Sequence, residues 1–314
     1  MSVGYVCTDP GIPVFWTKGA SVHVQAVLRE LVGRGAQVHL LCARTCGPVP
    51  AGLEPVDVRL LPPVGKGDAA AREGRAQESD AAVAELLDAL PELDLVYERY
   101  APWGRTATAW ADEHGVPSVL EVNAPLVQEQ LAHRELVDQP AAEAVAVAAL
   151  SAAGVVACVS DEVTAWARTT SARPDRVLTV PNGVDVDRVV PAGRPVAPAA
   201  AGAFTVGFVG TLKAWHGVEL LVEAVDRLHA RDASWRLLVV GDGPCGQALR
   251  DAAGPHVELT GALPPDQVLG QLHRMDVACA PYPDLPGLYF SPLKAYEYLA
   301  AGLPVVAIDV GQLP

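Results

Sequence analysis

Short apolar segments rich in β-branched residues alternate along almost the whole chain with longer segments of helical periodicity. Such alternation predicts βαβ units and parallel sheets. In the first unit a strand over 4–8 precedes a helix, for which Ser21 is the expected N-cap and Gly35 the expected end. The other strands of this first series are predicted over residues 38–43, 56–61, 95–98, 118–122, 155–160 and 177–180.

A change of composition divides the pattern into two series. Segment 191–203 is dominated by Pro, Ala and Gly, and its prolines exclude a regular helix. We therefore predict one domain over 1–190, a linker over 191–203 and a second domain over 204–314. The second series of strands is predicted over 205–209, 237–240, 257–259, 277–280 and 305–308.

Two details of the second domain follow from the same pattern. A helix over 218–230 is expected to bury one face, formed by Leu220, Leu221, Ala224, Val225 and Leu228. The sequence ends just after an apolar strand, which a doubly wound domain would normally cover with a further helix. We therefore expect the second domain to be incomplete at its carboxyl end.

Net charge and cysteine content restrict the partners and the compartment. The formal net charge of −14 disfavours nucleic acid, and nothing in the sequence supports membrane contact. The 6 cysteines are scattered without zinc-site spacing, which favours buried thiols in a reducing cytosol. No signal peptide or apolar span is present at the amino end. These features predict a cytoplasmic protein without a metal site.

The strongest chemical signal is the segment 289–304, which reads YFSPLKAYEYLAAGLP. Ser291 is the expected N-cap of a short helix, with Pro292 at its first position. Lys294 then lies in the first turn, where the helix dipole disfavours a cation unless an anion binds there too. Glu297 lies one turn further on the same face, where its carboxylate suits ribose hydroxyls. The alternative is an ordinary helix with an exposed Lys294–Glu297 ion pair.

A second candidate for anion binding is the segment 206–217, VGFVGTLKAWHG. A strand runs into a glycine turn, a cation follows, and another glycine opens a helix, which is the arrangement of an anion cradle. Lys213 and His216 would supply the positive charge. The alternative for Lys213 is a solvated loop lysine.

Two strand ends in the first domain carry further candidates. A long loop after the first strand ends in Lys18 and Gly19 at a helix start. Glu121 and Asn123 end another strand on the side where a ligand or a catalytic group should lie, although polar residues at strand ends are often turn formers.

Two other motifs imitate sites of different proteins. Residues 241–246 fit G-x-G-x-x-G, but they follow the second strand of their domain and contain Pro244, so a dinucleotide site is not predicted. Asp185-Val-Asp187 imitates a metal-binding D-x-D motif, but it lies at the exit from the first domain. We predict no metal there.

The motifs together resemble those of the retaining family-4 glycosyltransferases. Segment 291–304 resembles the donor-site signature of that family in the variant S-P-L-K-x-x-E-Y-x-A-x-G-x-P, in which the residue matching Glu297 binds the donor ribose. Tyr289 stands where the more widespread form has a second Glu. Residues 206–217 resemble the stretch whose basic side chains hold the diphosphate, with Thr211 in place of the usual Arg. Lys18-Gly19 resembles the glycine loop that contacts the donor phosphate.

The resemblance implies the glycosyltransferase-B architecture, with two Rossmann-like domains whose parallel sheets face each other across a cleft. It implies a nucleotide-sugar donor on the second domain, an acceptor entering from the first, and transfer with retention of anomeric configuration. The nucleotide-sugar is a substrate, so no cofactor is expected. The acceptor is left open among a sugar, a lipid-linked precursor and a small molecule.

The predicted roles divide into three groups. Catalysis is assigned to Lys213, Lys294 and Asn123, donor binding to Gly19, Thr211, His216, Tyr289, Ser291 and Glu297, and the acceptor side to Lys18 and Glu121. One alternative function is a nucleotide-sugar 2-epimerase, which shares the architecture. Another is a catalytically impaired nucleotide- or partner-binding module, suggested by Tyr289, Thr211 and the early end of the second domain.

Overall fold

The structure is a computed structural model that describes residues 1–192, 202–283, 291–309 and 311–313. These residues form two compact units, Met1–Pro181 and Asn182–Pro314. The division falls before the predicted boundary at residue 190, because residues after Pro181 pack on the second unit. His273 Nε2 donates to the Val190 carbonyl at 2.8 Å, and Val189 joins the second unit's core. Most of the predicted linker lies outside the described residues.

The first unit is a parallel sheet with helices on both faces. Its seven strands have the order β3-β2-β1-β4-β5-β6-β7. The strands are β1 (Ser2–Cys7), β2 (Gln37–Cys42), β3 (Asp57–Leu60), β4 (Leu95–Arg99), β5 (Ser118–Val122), β6 (Val155–Cys158) and β7 (Val177–Thr179). The helices are α1 (Gly19–Gly33), α2 (Ala69–Asp88), α3 (Thr106–His114), α4 (Leu126–His133), α5 (Gln139–Ala152) and α6 (Asp161–Thr170).

The second unit repeats this architecture on a smaller scale. Its described strands form a parallel sheet with the order β10-β9-β8-β11-β12. The strands are β8 (Phe204–Val209), β9 (Trp235–Val240), β10 (Val257–Leu259), β11 (Val277–Ala280) and β12 (Val305–Ala307). The helices are α7 (Val218–Arg231), α8 (Gly246–Ala252), α9 (Pro265–Leu272) and α10 (Leu293–Ala300).

Both sheets are apolar on their two faces, because helices cover each of them. In the first unit, Tyr5 and Leu40 pack on one face, while Val6 and Leu41 pack on the other. The strand order of each sheet reverses beside its first strand, between β1 and β4 and between β8 and β11. Ligands of doubly wound proteins bind at the carboxyl edge beside such a reversal. The prediction of an α/β fold with two Rossmann-like units is confirmed.

The strand predictions match the structure to within two residues at each end, whereas two helix details are wrong. Helix α1 begins at Gly19 with Lys18 as N-cap, and Ser21 is buried inside the helix. In α7 the side chain of Leu220 is 55% exposed, while Val218 and Val222 are buried. The buried face is therefore rotated from the predicted one, because it follows the sheet surface that α7 covers. None of the helices in the described ranges is long and apolar enough to cross a bilayer.

Candidate active site

Three loops leave the carboxyl edge of the second sheet and pack closely through glycine. Gly241 follows β9 with a φ of 136°, and a Cβ atom there would lie 2.0 Å from the Gly210 carbonyl oxygen. A Cβ atom on Gly217 would lie 1.9 Å from the Pro281 carbonyl oxygen. Only glycine permits these approaches. The G-x-G-x-x-G match at 241–246 therefore contains a glycine required for loop packing beside β8.

Lys294 extends from the first turn of α10 to this edge of the sheet. Its Nζ atom lies 4.3 Å from the ring centroid of Phe208 and 5.1 Å from that of Tyr282. A Cβ atom on Gly210 would lie 3.1 Å from the same nitrogen. Although the side chain as a whole is only half-buried, Nζ itself is buried and has no hydrogen-bond partner in the described part of the chain. This burial lowers the pKa of Lys294 to about 7, against a smaller opposing effect of Glu297.

The carboxylate of Glu297 is partly buried on the same helix. Burial raises the pKa of Glu297, while Arg188 and Lys294 act in the opposite direction. No ion pair within 4.0 Å joins Lys294 to Glu297, both of which are among the described residues. The alternative of an ordinary exposed ion pair is therefore wrong, since the lysine nitrogen is inside an aromatic pocket and not in solvent.

The loop after β8 brings a second lysine to the aromatic residues. Lys213 Nζ lies 4.3 Å from the ring centroid of Trp215. His216 Nδ1 donates to the Thr211 carbonyl, and its ring meets that of Tyr282 edge-on with centroids 5.7 Å apart. Burial first, and then Lys294, lower the pKa of His216 to about 4. His216 is therefore neutral near pH 7, and the positive charge expected from it must come from the lysines.

Ser291 does not cap α10, contrary to the prediction. The helix begins at Leu293 with Pro292 in the N-cap position, and no side chain among the described residues caps its first turn. Instead, Ser291 Oγ accepts a hydrogen bond of 3.2 Å from the Asn182 backbone N–H, and its carbonyl accepts one of 3.0 Å from Asn182 Nδ2. This competing contact explains the failed cap. Tyr289 lies outside the described residues.

A different constellation lies at the carboxyl edge of the first sheet, around Glu121. Its Oε1 atom accepts from Arg99 Nη1 at 2.6 Å and from Asn123 Nδ2, and its Oε2 atom accepts from Tyr97 Oη at 2.8 Å. His23 Nε2 also lies 2.8 Å from Oε1. Burial raises the pKa of Glu121, but Arg99, His23 and Asn123 together lower it well below the usual range.

Sequence patterns predicted Glu121 and Asn123 here, but they did not predict His23 as a member. The neighbouring strands pair Arg99 with Glu121 in register, which is a contact that a strand alignment alone could have suggested. His23 comes from α1, so only the packed fold brings it to the carboxylate. Lys18 and Gly19 lie at the start of the same helix, and the Lys18 side chain is exposed. Their predicted contact with donor phosphate stays a prediction.

Comparison of the chain with known proteins identifies the family to which it is similar. The family model described as "Glycosyltransferase Family 4" matches residues 17–188, and the one described as "Glycosyl transferases group 1" matches residues 203–314. D-inositol 3-phosphate glycosyltransferase 1 of Catenulispora acidiphila is 30% identical over 94% of this chain and 75% of its own length. The D-inositol 3-phosphate glycosyltransferase of Saccharomonospora viridis is 29% identical over 94% of this chain and 74% of its own.

Solved structures agree on the fold. Sucrose-phosphate synthase from Thermosynechococcus elongatus has a TM-score of 0.70 at 18% identity, covering 99% of this chain and 82% of its own. A glycosyltransferase involved in lipopolysaccharide biosynthesis has a TM-score of 0.72 at 15% identity, covering 98% and 81%. The Anabaena protein HepE in complex with UDP-glucose has a TM-score of 0.66 at 17% identity, covering 99% and 81%.

The two family models place the protein among the glycosyltransferases, and its two parallel-sheet units have the glycosyltransferase-B fold. Because one family model spans more than half of its length, the chain belongs to glycosyltransferase family 4.

Proposed function

We propose that this glycosyltransferase takes its sugar from a nucleotide-sugar and transfers it with retention of anomeric configuration. The observation that carries the proposal is the Lys294 ammonium, which is buried without a hydrogen-bond partner in the described part of the chain. A buried cation without a partner is costly, and an anion at the adjacent helix start would remove that cost. The diphosphate of a nucleotide-sugar is an anion of this kind.

Lys213, Lys294 and two helix starts supply the positive potential for the departing diphosphate. Helices α7 and α10 both begin at the carboxyl edge, and no described side chain caps the first turn of either helix. Their backbone N–H groups are therefore available to phosphate oxygens. Charge that develops on the leaving nucleoside diphosphate is stabilised most by groups already oriented toward it. The mechanism assigns no step to a metal.

Glu297 is proposed to accept hydrogen bonds from the donor ribose. The carboxylate makes no ion pair with Lys294, so its oxygens can receive two hydroxyl donors. The Anabaena protein HepE, which shares the fold, has been crystallised with UDP and with UDP-glucose. Those complexes support a nucleotide-sugar donor without specifying the base or the sugar for this chain.

On the acceptor side, we propose that Glu121 acts through its neighbours. Its oxygens already receive hydrogen bonds from Arg99, Asn123 and Tyr97, so it is better suited to orient Asn123 than to bind an acceptor itself. The relatives bear the name D-inositol 3-phosphate glycosyltransferase, and we therefore propose a phosphorylated polyol as one acceptor to test. The exposed cation Lys18 at the start of α1 would suit an anionic group of the donor or acceptor.

The donor assignment is tested by calorimetric titration with UDP-, GDP- and dTDP-sugars. Lys294→Ala and Glu297→Ala should each weaken binding of the preferred nucleotide-sugar by about 100-fold or more, since each removes a charged or multiply bonded contact. Arg227→Ala is the matched control, because this α7 cation is exposed and pairs with Glu223. Unchanged affinity in both site variants would overturn the assignment.

Product analysis tests the reaction itself. With donor and a panel of polyol, sugar and lipid-linked acceptors, the anomeric configuration of the product can be determined by NMR. An inverted product would contradict retention. Conversion of the nucleotide-sugar alone to its 2-epimer would favour the epimerase instead.

A further inference from the structure

We propose that Tyr282, together with Phe208, is a positioning residue that keeps the Lys294 side chain desolvated at the diphosphate site, so that donor binding brings a proton onto this lysine. The inference rests on the proposed donor function of the site. It adds a role for two aromatic rings that make no hydrogen bond of their own to a phosphate, and it predicts proton uptake as a measurable property of the bound state.

The geometry of the pocket supports this role. Phe208 comes from the end of β8 and is fully buried, and Tyr282 follows β11 and is 4% exposed. The two rings therefore lie on opposite sides of the strand-order reversal between β8 and β11, where the ligand of a doubly wound unit is expected. The centroid distances of 4.3 Å and 5.1 Å to Nζ are within the range of cation–π contact. The rings hold the nitrogen beside Gly210 and exclude water from it.

The pKa of Lys294 reflects a balance between burial and the charged and titratable groups around it. Glu297 on its own helix favours the charged lysine, and Arg188 in turn favours the charged form of Glu297. The loop after β8 contributes Lys213 and the neutral His216, and the loop after β11 contributes Tyr282, whose pKa is raised by burial to about 12. Burial outweighs the help from Glu297, so the pKa of Lys294 falls to about 7.

A diphosphate beside Nζ would outweigh the effect of burial on the pKa of Lys294. The anion favours the ammonium form, and the pKa of Lys294 in the complex should return well above 8. From the pKa of about 7 in the free protein, binding should take up about 0.9 proton at pH 8 and about 0.1 proton at pH 6. Donor affinity should accordingly fall as the pH rises above about 7, because an increasing share of the free protein must first be protonated.

The first test needs no ligand. NMR of the protein with labelled lysine side chains, assigned with Lys294→Met, should show the Lys294 Cε resonance titrating near pH 7. In Tyr282→Leu, which opens the pocket to water, the midpoint should rise by at least one pH unit, whereas Tyr282→Phe should keep it. A midpoint near the ordinary value of 10.5 in the unsubstituted protein would overturn the inference and leave the proposed donor function standing.

The second test measures protons with the donor. A nucleotide-sugar is a diphosphate diester without a titrating phosphate oxygen in this range, so calorimetry at pH 8 in buffers of different ionisation enthalpy reports proton uptake by the protein. The preferred one among UDP-, GDP- and dTDP-glucose serves as the probe. Uptake near one proton is expected for the unsubstituted chain and for Tyr282→Phe, and less than half of that for Tyr282→Leu.

Affinity distinguishes the positioning role from a purely structural one. At pH 6, where Lys294 is charged without ligand, Tyr282→Leu should weaken donor binding by about 3- to 30-fold, and Tyr282→Phe by less than 2-fold. Equal uptake and equal affinity in the Leu and Phe variants would overturn the inference. If none of the nucleotide-sugars binds while Lys294 still titrates near pH 7, the proposed donor function is wrong and the proton-coupled role fails with it. Circular dichroism of each variant excludes unfolding as the cause.

Discussion

Glu121 in the first unit and Lys294 in the second are both buried charged groups at the carboxyl edge of a parallel sheet, but they differ in their partners. The Glu121 carboxylate is surrounded by Arg99, Tyr97, Asn123 and His23, and its pKa is lowered in spite of its burial. The Lys294 ammonium has two aromatic rings and no hydrogen-bond acceptor in the described part of the chain, and its pKa is lowered by that burial.

The difference shows which charged group has its hydrogen bonds and counter-charge within the folded chain and which one requires a ligand to supply them. A buried charge is tolerated when neighbouring groups supply its hydrogen bonds and its counter-charge. Glu121 receives both from the protein and therefore acts as a structural centre that orients its neighbours. Lys294 receives neither in full, because Glu297 offsets only part of the effect of its burial, so an arriving anion would stabilise its charged form further. Variants of the two groups should therefore have opposite effects on the stability of the free protein.

The largest effect is expected from Glu121→Gln, which leaves the Arg99 guanidinium buried without its counter-charge. We expect the free energy of unfolding to fall by about 3–5 kcal/mol, measured by urea denaturation near pH 7. Glu258→Gln is the matched control, since Glu258 pairs with Arg274 but is about half exposed, and it should cost less than about 1 kcal/mol. Equal losses in the two variants would show that the Glu121 network is not the structural centre inferred here.

Lys294→Met should change stability in the opposite direction while abolishing nucleotide binding. The unsubstituted chain has a Lys294 pKa lowered from 10.5 to about 7, so its unfolded state binds more protons between these values. Stability of the unsubstituted chain therefore rises with pH across this window, and the penalty is largest below pH 7. We expect the Met variant to be more stable by about 2–3 kcal/mol at pH 6, with the gain disappearing toward pH 10.

The pH dependence is the decisive part of that measurement. Urea denaturation at pH 6, 8 and 10 should show a gain for Lys294→Met that decreases with each step. A gain that is constant with pH would indicate better apolar packing of Met against Phe208 and Tyr282, and would contradict the burial of a charged lysine.

Glu98, in the same sheet as Glu121, is a buried carboxyl group that has no cation beside it in the described part of the chain. Burial, and then the nearby Asp80, raise its pKa to about 8, and its Oε1 atom has no hydrogen-bond partner among the described residues. The folded state therefore holds a proton that the unfolded state releases between pH 4.5 and pH 8, and stability falls as the pH rises through this window.

Glu98→Gln should remove this dependence at small cost. The amide oxygen can still accept the 3.1 Å hydrogen bond from the Thr108 backbone N–H. We expect the variant to be about 1–2 kcal/mol more stable than the unsubstituted chain at pH 9 and nearly equal to it at pH 5, measured by urea denaturation. A loss of stability at pH 9 would mean that the ionised Glu98 has a stabilising partner.

Local sequence spacing was sufficient for the strands and for part of the site. Apolar periodicity predicted the strands of both units, because a parallel sheet covered on both faces requires short continuous apolar runs. Helical spacing also placed Lys294 and Glu297 on neighbouring turns of α10. These features depend on residues that are close in the chain, where the backbone geometry relates spacing directly to position.

The contacts of those residues depend on the tertiary fold. Ser291 has the chemistry of an N-cap, yet it bonds to Asn182 from a distant part of the chain. Glu121 meets His23 of α1 and Arg99 of β4, both of which are far from it in the chain. In the same way, sequence spacing predicted a lysine at the start of α10. The burial of its ammonium between Phe208 and Tyr282, however, depends on residues at the ends of two other strands. The lowered pKa of this lysine could therefore be inferred only from the folded unit.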